Sequence, residues 1–353
     1  MITILIPAHN EGAVIFETLD SLSRQTLPDR QRRIVLADNC TDNTVEVARA
    51  AGAEVFETVD NPHKKAGALN QWLDRHLADM DPNESILVMD ADSILEPNFL
   101  RNAILYQYAG YHAVGGVFLG KEGGGFVGWS QRNEYARYGR DVARKRGKTL
   151  VLTGTATLFT AKCLQDVVAG RAKGVIPGAS QDQGEMPHVY DTKALTEDNE
   201  LTFALLHLGY KIIAPAECGL KTEVMETWRD LWKQRYRWKR GAIENNWHYG
   251  LTRHTAKYWA LQIWGMFGIV ATALYLYTLA AAVAFGQLHW YPIWILVTVV
   301  YVFERAITVA RFRGVKHALI AASLVVEMPY DLFLQAVHSY ALVTSCLRTR
   351  KSW

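Results

Sequence analysis

The chain is predicted to form an α/β domain with a mostly parallel, Rossmann-like sheet, followed by an amphipathic helix and then by apolar helical segments. Three observations support this prediction. Short apolar runs alternate with helical patterns through the first part of the chain, which is typical of a parallel sheet covered by helices. Residues 226–249 have one continuous helical pattern with an aromatic face and a polar face. Charged residues are frequent up to about Lys257 and nearly vanish after it.

Composition narrows the class of protein. The 353 residues are enough for a catalytic domain and a second region. A net charge of +3 gives no reason to expect a nucleic-acid partner. The four cysteines have neither metal-type nor paired spacing, which suits a reducing compartment. We expect no signal peptide before the first strand, because residues 1–6 already have the pattern of a strand.

The predicted strands and helices alternate from the start of the chain. Pro97 suits the first turn of a helix, and Thr41 with Asp42 can cap another. In such sheets ligands bind at the carboxyl ends of the strands, where Asp38 and Asp90 both lie. The predicted strands cover residues 2–6, 33–37, 53–56 and 85–89, and the predicted helices follow Gly12, Thr41, Lys65 and Pro97.

Two aspartates follow the most apolar of these runs. Asp90 and Asp92 come directly after residues 85–89, which have the pattern of a buried strand. Residues two apart on an extended chain point the same way, so both carboxylates are expected in one crevice. Their mutual repulsion is relieved most simply by a hard divalent cation. The alternative is a strand end followed by an acidic turn.

Four further polar residues are candidates for a site at the same edge of the sheet. Glu11 and Asp198 each lie near the start of a helix, where the helix dipole alone also favours an acid. Asp38 has an ordinary alternative as a turn residue. Lys65 precedes a predicted helix and could reach a phosphate, whereas its neighbour Lys64 is typical of a solvated charged patch.

Several motifs occur in an order that resembles a known family. The set resembles the family 2 inverting glycosyltransferases with a GT-A fold, and within them the membrane-bound branch that contains cellulose, chitin and hyaluronan synthases and ceramide glucosyltransferase. The resemblance covers about residues 1–250. The motifs are PAHNE at 7–11, Asp38, HKKAGALN at 63–70, DAD at 90–92, TED at 196–198 and QRYRW at 234–238.

The resemblance implies roles for particular residues and a UDP-sugar as donor. It makes Asp198 the general base and lets Asp90 and Asp92 hold the diphosphate through Mn²⁺ or Mg²⁺, between which oxygen ligands do not discriminate. Gly154 would let the backbone approach a sugar, with core packing as the alternative. The nucleotide-sugar residues are Pro7, Ala8, Asn10, Glu11, Asp38, Lys65, Asp90, Ala91, Asp92 and Arg237. The acceptor residues are Glu197, Gln234, Trp238 and Gly154.

The helix over 226–249 has two faces, and Gln234, Arg237 and Trp238 of the QRYRW motif share one of them. The aromatic face, flanked by Arg235 and Lys239, suits the headgroup layer of a membrane. We hypothesise that the opposite face looks into the active site; the alternative is that the aromatic face packs on the catalytic domain. The aromatic face holds Trp228, Trp232, Tyr236, Ile243 and Trp247, and the opposite face holds Gln234, Arg237, Trp238 and Gly241.

Apolar segments predict an integral membrane protein with three regions: residues 1–225, 226–250 and 251–353. Two spans are expected at about 258–285 and 290–310. Lysines and arginines flank them on one side, which places the catalytic domain in the cytoplasm. A third stretch, at about 317–347, is expected either to span or to be re-entrant. It contains Glu327, Pro329 and Asp331 and ends in Arg348, Arg350 and Lys351.

Two modes of transfer remain open for such an enzyme. A single transfer to a lipid or protein acceptor is favoured over processive synthesis of a polysaccharide. Polymer synthases carry apolar segments before the catalytic domain, and two or three spans could be too few to enclose a channel, although a homo-oligomer could supply one. A sugar nucleotidyltransferase would carry a glycine-rich, arginine-containing loop after the first strand, which PAHNEG is not. A non-catalytic membrane scaffold is the remaining alternative.

Overall fold

A computed structural model describes residues 1–27, 30–177, 186–287, 289 and 291–347 of the protein. Within these ranges ten strands all lie before residue 223, and long helices follow. The strands are β1 (Ile2–Ala8), β2 (Gln31–Ala37), β3 (Glu54–Glu57), β4 (Ser85–Met89), β5 (Ile94–Leu95), β6 (Ala113–Gly115), β7 (Val117–Gly120), β8 (Ala156–Thr160), β9 (Ile212–Ile213) and β10 (Gly219–Thr222).

Twelve α-helices lie in the same ranges. The first seven alternate with the strands, and α8 to α12 follow the last strand. They are α1 (Ile15–Ser23), α2 (Thr44–Ala50), α3 (Lys64–His76), α4 (Phe99–Tyr108), α5 (Gly125–Arg144), α6 (Ala161–Ala172), α7 (Glu197–His207), α8 (Trp228–Tyr249), α9 (Ala256–Ala284), α10 (Pro292–Arg313), α11 (Val315–Ala321) and α12 (Leu324–Cys346).

The larger sheet has seven strands in the order β3-β2-β1-β4-β8-β6-β9. Four of its neighbouring pairs are parallel, and only the two pairs that involve β8 are antiparallel. The prediction of a mostly parallel α/β sheet is therefore confirmed. The central strands β1 and β4 are buried along their whole length, which explains their uninterrupted apolar sequences.

The core lies on both faces of this sheet. Along β1, Leu5 packs with residues of α3, α6 and α7, whereas Ile4 and Ile6 pack with α1 and α4 on the other face. This alternation follows from the two-residue period of a strand. Each fully buried aliphatic side chain contributes about 1.5–3 kcal/mol, so the central strands are the most firmly held part of the domain.

A smaller, three-stranded sheet lies beside the edge at which the parallel strands of the larger sheet have their carboxyl ends. Its order is β5-β10-β7, with β5 antiparallel and β7 parallel to β10. Strand β5 begins two residues after Asp92, so this sheet brings the end of β10 beside the aspartate pair. The sequence pattern predicted none of the six strands from β5 to β10, because short strands held by distant partners leave little local signal.

The five C-terminal helices differ in how they are covered. Among the described residues, α9 is the one helix that is both long and apolar enough to cross a membrane, and its apolar window is not buried at all. Helix α10 packs along α5, and α12 packs along α8. The second expected span corresponds to α10, although its predicted first residue, Trp290, lies outside the described residues. The third expected stretch is divided into α11 and α12, and Arg348, Arg350 and Lys351 lie outside the described residues.

Candidate active site

A lysine and an aspartate from different elements meet at the carboxyl end of β4. The strand ends at Met89, and the Asp90 N–H then donates to the Thr155 carbonyl oxygen at 3.0 Å. Lys65, in the first turn of α3, donates from Nζ to Asp90 Oδ1 at 2.5 Å and to the Gly154 carbonyl oxygen at 3.0 Å. Burial alone would lower the pKa of Lys65, but Asp90 and Glu197 raise it overall, so the ammonium stays charged.

Asp198 lies on the other side of Gly154. It occupies the first turn of α7, where Oδ2 accepts from the Gly154 N–H at 3.0 Å and Oδ1 from the Asn199 N–H at 2.8 Å. Its neighbour Glu197 lies 4.0 Å from Lys65 Nζ. Burial, followed by the charge of Glu197, raises the pKa of Asp198 to about 6, while Lys65 opposes this rise. The carboxylate can therefore accept a proton near neutral pH.

The main chain of Gly154 forms hydrogen bonds with both Lys65 and Asp198. Its N–H donates to Asp198, and its carbonyl oxygen accepts from Lys65. A Cβ at this position would lie 2.9 Å from Lys65 Nζ, so a larger residue would push the lysine away from Asp90. The structure therefore brings Lys65, Asp90, Gly154, Glu197 and Asp198 together, although they come from four separate stretches of the chain.

Asp92 lies in a cluster in which the acidic side chains outnumber the nearby cations. Burial, followed by the charges of Asp90, Glu223 and Glu11, raises the pKa of Asp92 to about 7, with Lys121 as the opposing cation. Burial, Glu223 and Asp90 also raise the pKa of Glu11. The backbone between the two aspartates is fixed, because Thr18 Oγ1 donates to the Ala91 carbonyl oxygen at 2.6 Å. A cation bound among these acids would be stabilised by their charges.

The donor atoms here fit a divalent metal ion of the Mg²⁺ or Mn²⁺ type. Across the described part of the chain, no group of three or more His, Cys, Asp or Glu side chains is arranged to hold a metal. Asp90 and Asp92 would supply two carboxylates, and such ions typically complete their coordination with phosphate oxygens and water. The site therefore fits a metal that binds together with a phosphorylated ligand.

A second group of predicted residues lies at the ends of β1 and β2. Pro7 and Ala8 pair with Leu36 and Ala37, and the Asp38 N–H donates to the Ala8 carbonyl oxygen at 2.8 Å. The Asp38 side chain is buried and its Oδ1 accepts hydrogen bonds from three side chains. The donors are Asn61 Nδ2 at 2.8 Å, Thr58 Oγ1 at 2.9 Å and Asn39 Nδ2 at 3.1 Å.

Asn10 and Glu11 extend from this rigid edge. Asn10 has a φ of 57°, and its Oδ1 accepts from the Thr41 N–H at 2.8 Å. The Glu11 N–H donates to Thr44 Oγ1 at 2.8 Å, which leaves its carboxylate directed toward the acidic cluster that raises its pKa. Glu11 therefore connects the Asp38 region with the aspartate pair.

Helix α8 is held against the start of α7. Asn245 Nδ2 donates to the Thr196 carbonyl oxygen at 3.2 Å and to Asn199 Oδ1 at 2.8 Å. A Cβ on Gly241 would lie 2.4 Å from Thr196 Oγ1, so the two helices approach closely only because this residue is glycine. The face of α8 that carries Gly241 thus contacts Thr196 of the TED motif, whereas its role as a wall of the active site stays a prediction.

The QRYRW residues themselves are less closely connected to the acids. Within the described residues, no hydrogen bond or ion pair joins Gln234, Arg237 or Trp238 to Asp90, Asp92 or Asp198. Trp238 instead packs against the guanidinium of Arg235, 4.3 Å from the ring centroid, and Gln234 Oε1 accepts from Arg235 Nη1 at 3.1 Å. The Arg237 side chain is exposed.

The prediction that the aromatic face of α8 meets lipid headgroups is wrong for its central part. Trp232 packs on Phe333 and Tyr340 of α12, and Tyr236 packs on Tyr340. Trp228 contacts Phe333 but remains 39% exposed. Periodicity shows which residues share a face, but it does not show what covers that face.

Arg235 was predicted as a basic flank at the membrane, and this prediction is also wrong. Its guanidinium is buried, donates to Glu134 Oε2 at 2.8 Å and lies 5.5 Å from the ring centroid of Tyr135. Tyr135 in turn is close enough to Asp92 for that charge to raise its pKa, after the larger effect of burial. Glu134, Tyr135, Glu223 and Lys121 carried no sequence signal, because distant chain segments bring them to the site.

A buried carboxylate beside an acidic cluster that fits a phosphate-bound metal is the arrangement expected of an enzyme of the group-transfer class. Residues 1–241 match the family described as "Glycosyltransferase like family 2". The chain belongs to this family, which confirms the resemblance given by the motifs.

Two curated relatives illustrate the family. The chain is 31% identical over 264 residues to "Probable glycosyltransferase YdaM" of Bacillus subtilis (strain 168), an alignment that covers 68% of this chain and 54% of the relative. It is 26% identical over 255 residues to "Poly-beta-1,6-N-acetyl-D-glucosamine synthase" of Staphylococcus aureus (strain COL), covering 69% and 55%. The chain thus spans about half the length of the curated relatives it matches.

A solved structure shares nearly the whole fold. "Mannosyltransferase PcManGT from Pyrobaculum calidifontis in complex with GDP-Man and Mn2+" superimposes with a TM-score of 0.61 at 17% identity, covering 99% of this chain and 88% of that chain. This similarity confirms the GT-A-like α/β fold with its mostly parallel sheet.

Proposed function

We propose that the protein is a membrane-embedded, metal-dependent inverting glycosyltransferase that uses a UDP-sugar and acts on an acceptor at the cytoplasmic face. The observation that carries this proposal is the contact of Lys65 with Asp90 and, through Gly154, with Asp198. In an inverting transfer the acceptor hydroxyl attacks the anomeric carbon opposite the departing diphosphate. A base and a diphosphate site must therefore lie side by side, as these residues do.

Each residue then has a defined task. Asp198 accepts the proton of the acceptor hydroxyl, helped by a pKa of about 6. Asp90 and Asp92 hold the metal, which when bound stabilises the negative charge of the leaving diphosphate. Lys65 supplies a second positive charge. Pro7, Ala8, Asn10, Glu11 and Asp38 form the site for the nucleoside, and Ala91 holds the turn between the two aspartates.

We further propose that the acceptor approaches beside α8. Glu197 and Gly154 lie next to Asp198. On the neighbouring helix α8, Arg235 contacts and so positions both Gln234 and Trp238. Arg237 remains assigned to the nucleotide sugar, and its exposed position requires it to move toward the diphosphate when the donor binds. The donor is UDP-linked by the resemblance. The structural neighbour was solved with GDP-Man and Mn²⁺, so GDP-mannose belongs in the same test.

Membrane embedding rests on the exposed apolar helices. Helix α9 has 29 residues and so a length of about 43 Å, more than the roughly 30 Å of a bilayer core. Helix α10 also exposes a run of large apolar side chains between Ile293 and Phe303. We propose that α9 crosses the membrane, that the exposed half of α10 before Glu304 lies within it, and that Arg253, Lys257, Arg311 and Arg313 mark the cytoplasmic side.

The C-terminal stretch is assigned to the membrane surface. Glu327 is buried between Arg137 and Arg305, with ion pairs of 2.7 and 3.1 Å, so it faces the catalytic domain. Because α12 also lies along α8, we propose that α11 and α12 return along the cytoplasmic interface. We propose that residues 1–225 form a catalytic domain, residues 226–250 an interface helix and residues 251–353 a membrane region.

A screen of nucleotide sugars with the purified protein, Mn²⁺ and Mg²⁺ tests the function. We expect slow hydrolysis of one UDP-sugar, and transfer once membranes supply the acceptor. Asp198→Asn should lower the rate about 100- to 10,000-fold, because it removes the base but keeps the shape. Asp79→Asn, an exposed aspartate of the same domain, is the matched control and should behave as wild type. Full activity of Asp198→Asn would overturn the assignment and leave a scaffold as the alternative.

Processive synthesis of a polysaccharide is the second candidate. The similarity to a poly-β-1,6-N-acetyl-D-glucosamine synthase favours it over a single transfer to a lipid or protein. Labelled donor incubated with membranes separates them, because a ladder of products indicates a polymer and one discrete product indicates a single transfer. A polymer would also call for the homo-oligomer that could enclose a channel.

A further inference from the structure

A group of exposed basic side chains surrounds the start of the apolar helices. Arg144 ends α5, and Lys145, Arg146 and Lys148 follow it; Arg253 precedes α9, and Lys257 lies in its first turn. All six side chains are exposed. We call these six residues the basic rim. None of them belongs to the catalytic site described above.

The structure places the rim beside both exposed apolar helices. Tyr258, in the first turn of α9, donates from its hydroxyl to the carbonyl oxygen of Leu150, two residues after the rim segment of α5. Arg144 Nη1 lies 3.4 Å from Glu304 Oε1 of α10. The rim therefore lies where α9 leaves the catalytic domain and alongside the middle of α10.

The surface changes character abruptly at this level. Beyond Tyr258, α9 exposes Leu261, Ile263, Trp264 and Phe267. Residues of α10 that precede Glu304 expose a similar apolar surface, including Val300 and Phe303. A ring of cations next to a wide apolar surface is the distribution expected where a protein crosses from bilayer to headgroup layer.

The rim has more positive charge than its neighbours neutralise. Asp141 and Glu304 are the acids nearest in sequence or by contact, and Glu304 Oε1 is also paired with Arg140 at 2.5 Å. Across the described residues, Lys145, Arg146 and Lys148 make no ion pair with an acid. The cations of this segment are thus free to meet anions from outside the protein.

The turn that carries these cations is fixed. Arg146 and Gly147 have φ values of 53° and 75°, and the Gly147 carbonyl oxygen accepts from the Ala214 N–H at 2.8 Å. A Cβ on Gly147 would lie 2.8 Å from Ile213, so the turn packs tightly against β9. Lys145, Arg146 and Lys148 are therefore presented from a rigid support.

We propose that the basic rim binds the phosphate groups of anionic phospholipids in the cytoplasmic leaflet and so holds the active site at a fixed height above the bilayer. The inference rests on the proposed membrane embedding. It commits to a lipid surface because the cations border apolar helices, whereas a site for a free phosphate would need no such neighbour.

The test uses the full chain in nanodiscs made with phosphatidylcholine alone or with added phosphatidylglycerol. Hydrogen exchange of residues 144–150 should slow when the anionic lipid is present. This protection should disappear when ionic strength is raised to about 1 M, where the screening length falls to about 3 Å. Retention of phosphatidylglycerol by the purified protein, measured by native mass spectrometry, should fall at least about tenfold in Lys145→Gln/Arg146→Gln/Lys148→Gln.

The matched control is Arg24→Gln/Arg101→Gln/Lys173→Gln, which removes the same charge from exposed positions of the catalytic domain. It should retain the lipid as wild type does. Equal lipid retention by both triple variants would overturn the proposal. Equal protection by inorganic phosphate without anionic lipid would also overturn it, because a free-anion site would then suffice.

Failure of this inference can be told apart from failure of the proposed function. Hydrolysis of the donor sugar in detergent should be the same in wild type and in the rim variant. A protein that hydrolyses the donor but shows no lipid preference would contradict only the rim. A protein that neither hydrolyses a donor nor enters nanodiscs would contradict the function itself.

Discussion

Two buried clusters of charge in this protein are built in opposite ways. Around Glu327, the carboxylate accepts from Arg137 at 2.7 Å, from Asn133 at 2.9 Å and from Arg305 at 3.1 Å, and Arg305 also pairs with Asp331 at 2.6 Å. Every charge there has a partner. At the active site, burial and three neighbouring acids raise the pKa of Asp92 to about 7, with Lys121 as the opposing cation.

We propose that this difference separates a structural cluster from one that binds a ligand. The Glu327 cluster joins α5, α10 and α12, and its charges balance within the fold. The Asp92 cluster has excess negative charge, which a fold built only for stability would avoid. An excess of this kind is relieved when a metal ion binds. Removing an acid should therefore have opposite effects on stability in the two clusters.

The largest effect is expected at the balanced cluster. Glu327→Ala leaves the guanidinium groups of Arg137 and Arg305 without their buried partner and should lower the free energy of unfolding by about 3–5 kcal/mol. Glu304→Ala, at a partly exposed pair on α10, is the control and should cost about 1 kcal/mol or less. Thermal unfolding in detergent measures both. If Glu327→Ala and Glu304→Ala had similar unfolding temperatures, the claim that the Glu327 cluster stabilises the fold would be contradicted.

The pH profile of the reaction is expected to show the next largest effect. As the proposed base, Asp198 can act only when ionised, and its pKa is raised to about 6. The rate should therefore be level above about pH 7 and should fall about tenfold per pH unit below about pH 6. A profile of kcat recorded with saturating donor and metal measures this. A rate that stays level down to pH 4.5 would match an unperturbed carboxylate and would contradict the role of burial.

The smallest effect is expected at the acidic cluster itself. Asp92→Asn removes one of several mutually repelling carboxylates and should raise the stability of the metal-free protein by about 1 kcal/mol. The same change should abolish the stabilisation that added Mn²⁺ gives to wild type. Thermal unfolding with and without Mn²⁺ checks both effects. A variant that is less stable without metal yet still stabilised by Mn²⁺ would show that Asp92 is only structural.

The sequence predicts the parts of this site that depend on local pattern. The apolar runs that end at Ala37 and Met89 place Asp38 and Asp90 at the carboxyl edge of a parallel sheet, and the start of α7 places Asp198 in a first turn. The roles of these residues came from the family resemblance, not from periodicity. The fold and the family are confirmed, whereas the individual roles remain predictions.

Other parts of the site depend on contacts between distant segments. Glu223 joins the acidic cluster because β10 pairs with β5, and a two-residue strand has no recognisable pattern. Arg235 looked like a membrane flank because its partner Glu134 lies 101 residues earlier. The aromatic face of α8 was assigned to lipid because periodicity carries no information about α12. Such errors arise wherever the neighbour of a surface is set by tertiary packing.

Calorimetric titration of Mn²⁺ in the presence of the donor nucleotide tests the central claim most directly. We predict one binding site per chain in wild type, loss of that site in Asp92→Asn, and an unchanged site in Glu327→Gln. Equal Mn²⁺ binding by all three proteins, or no binding by wild type, would contradict the proposal that the acids at the end of β4 are held in excess for a metal-bound diphosphate.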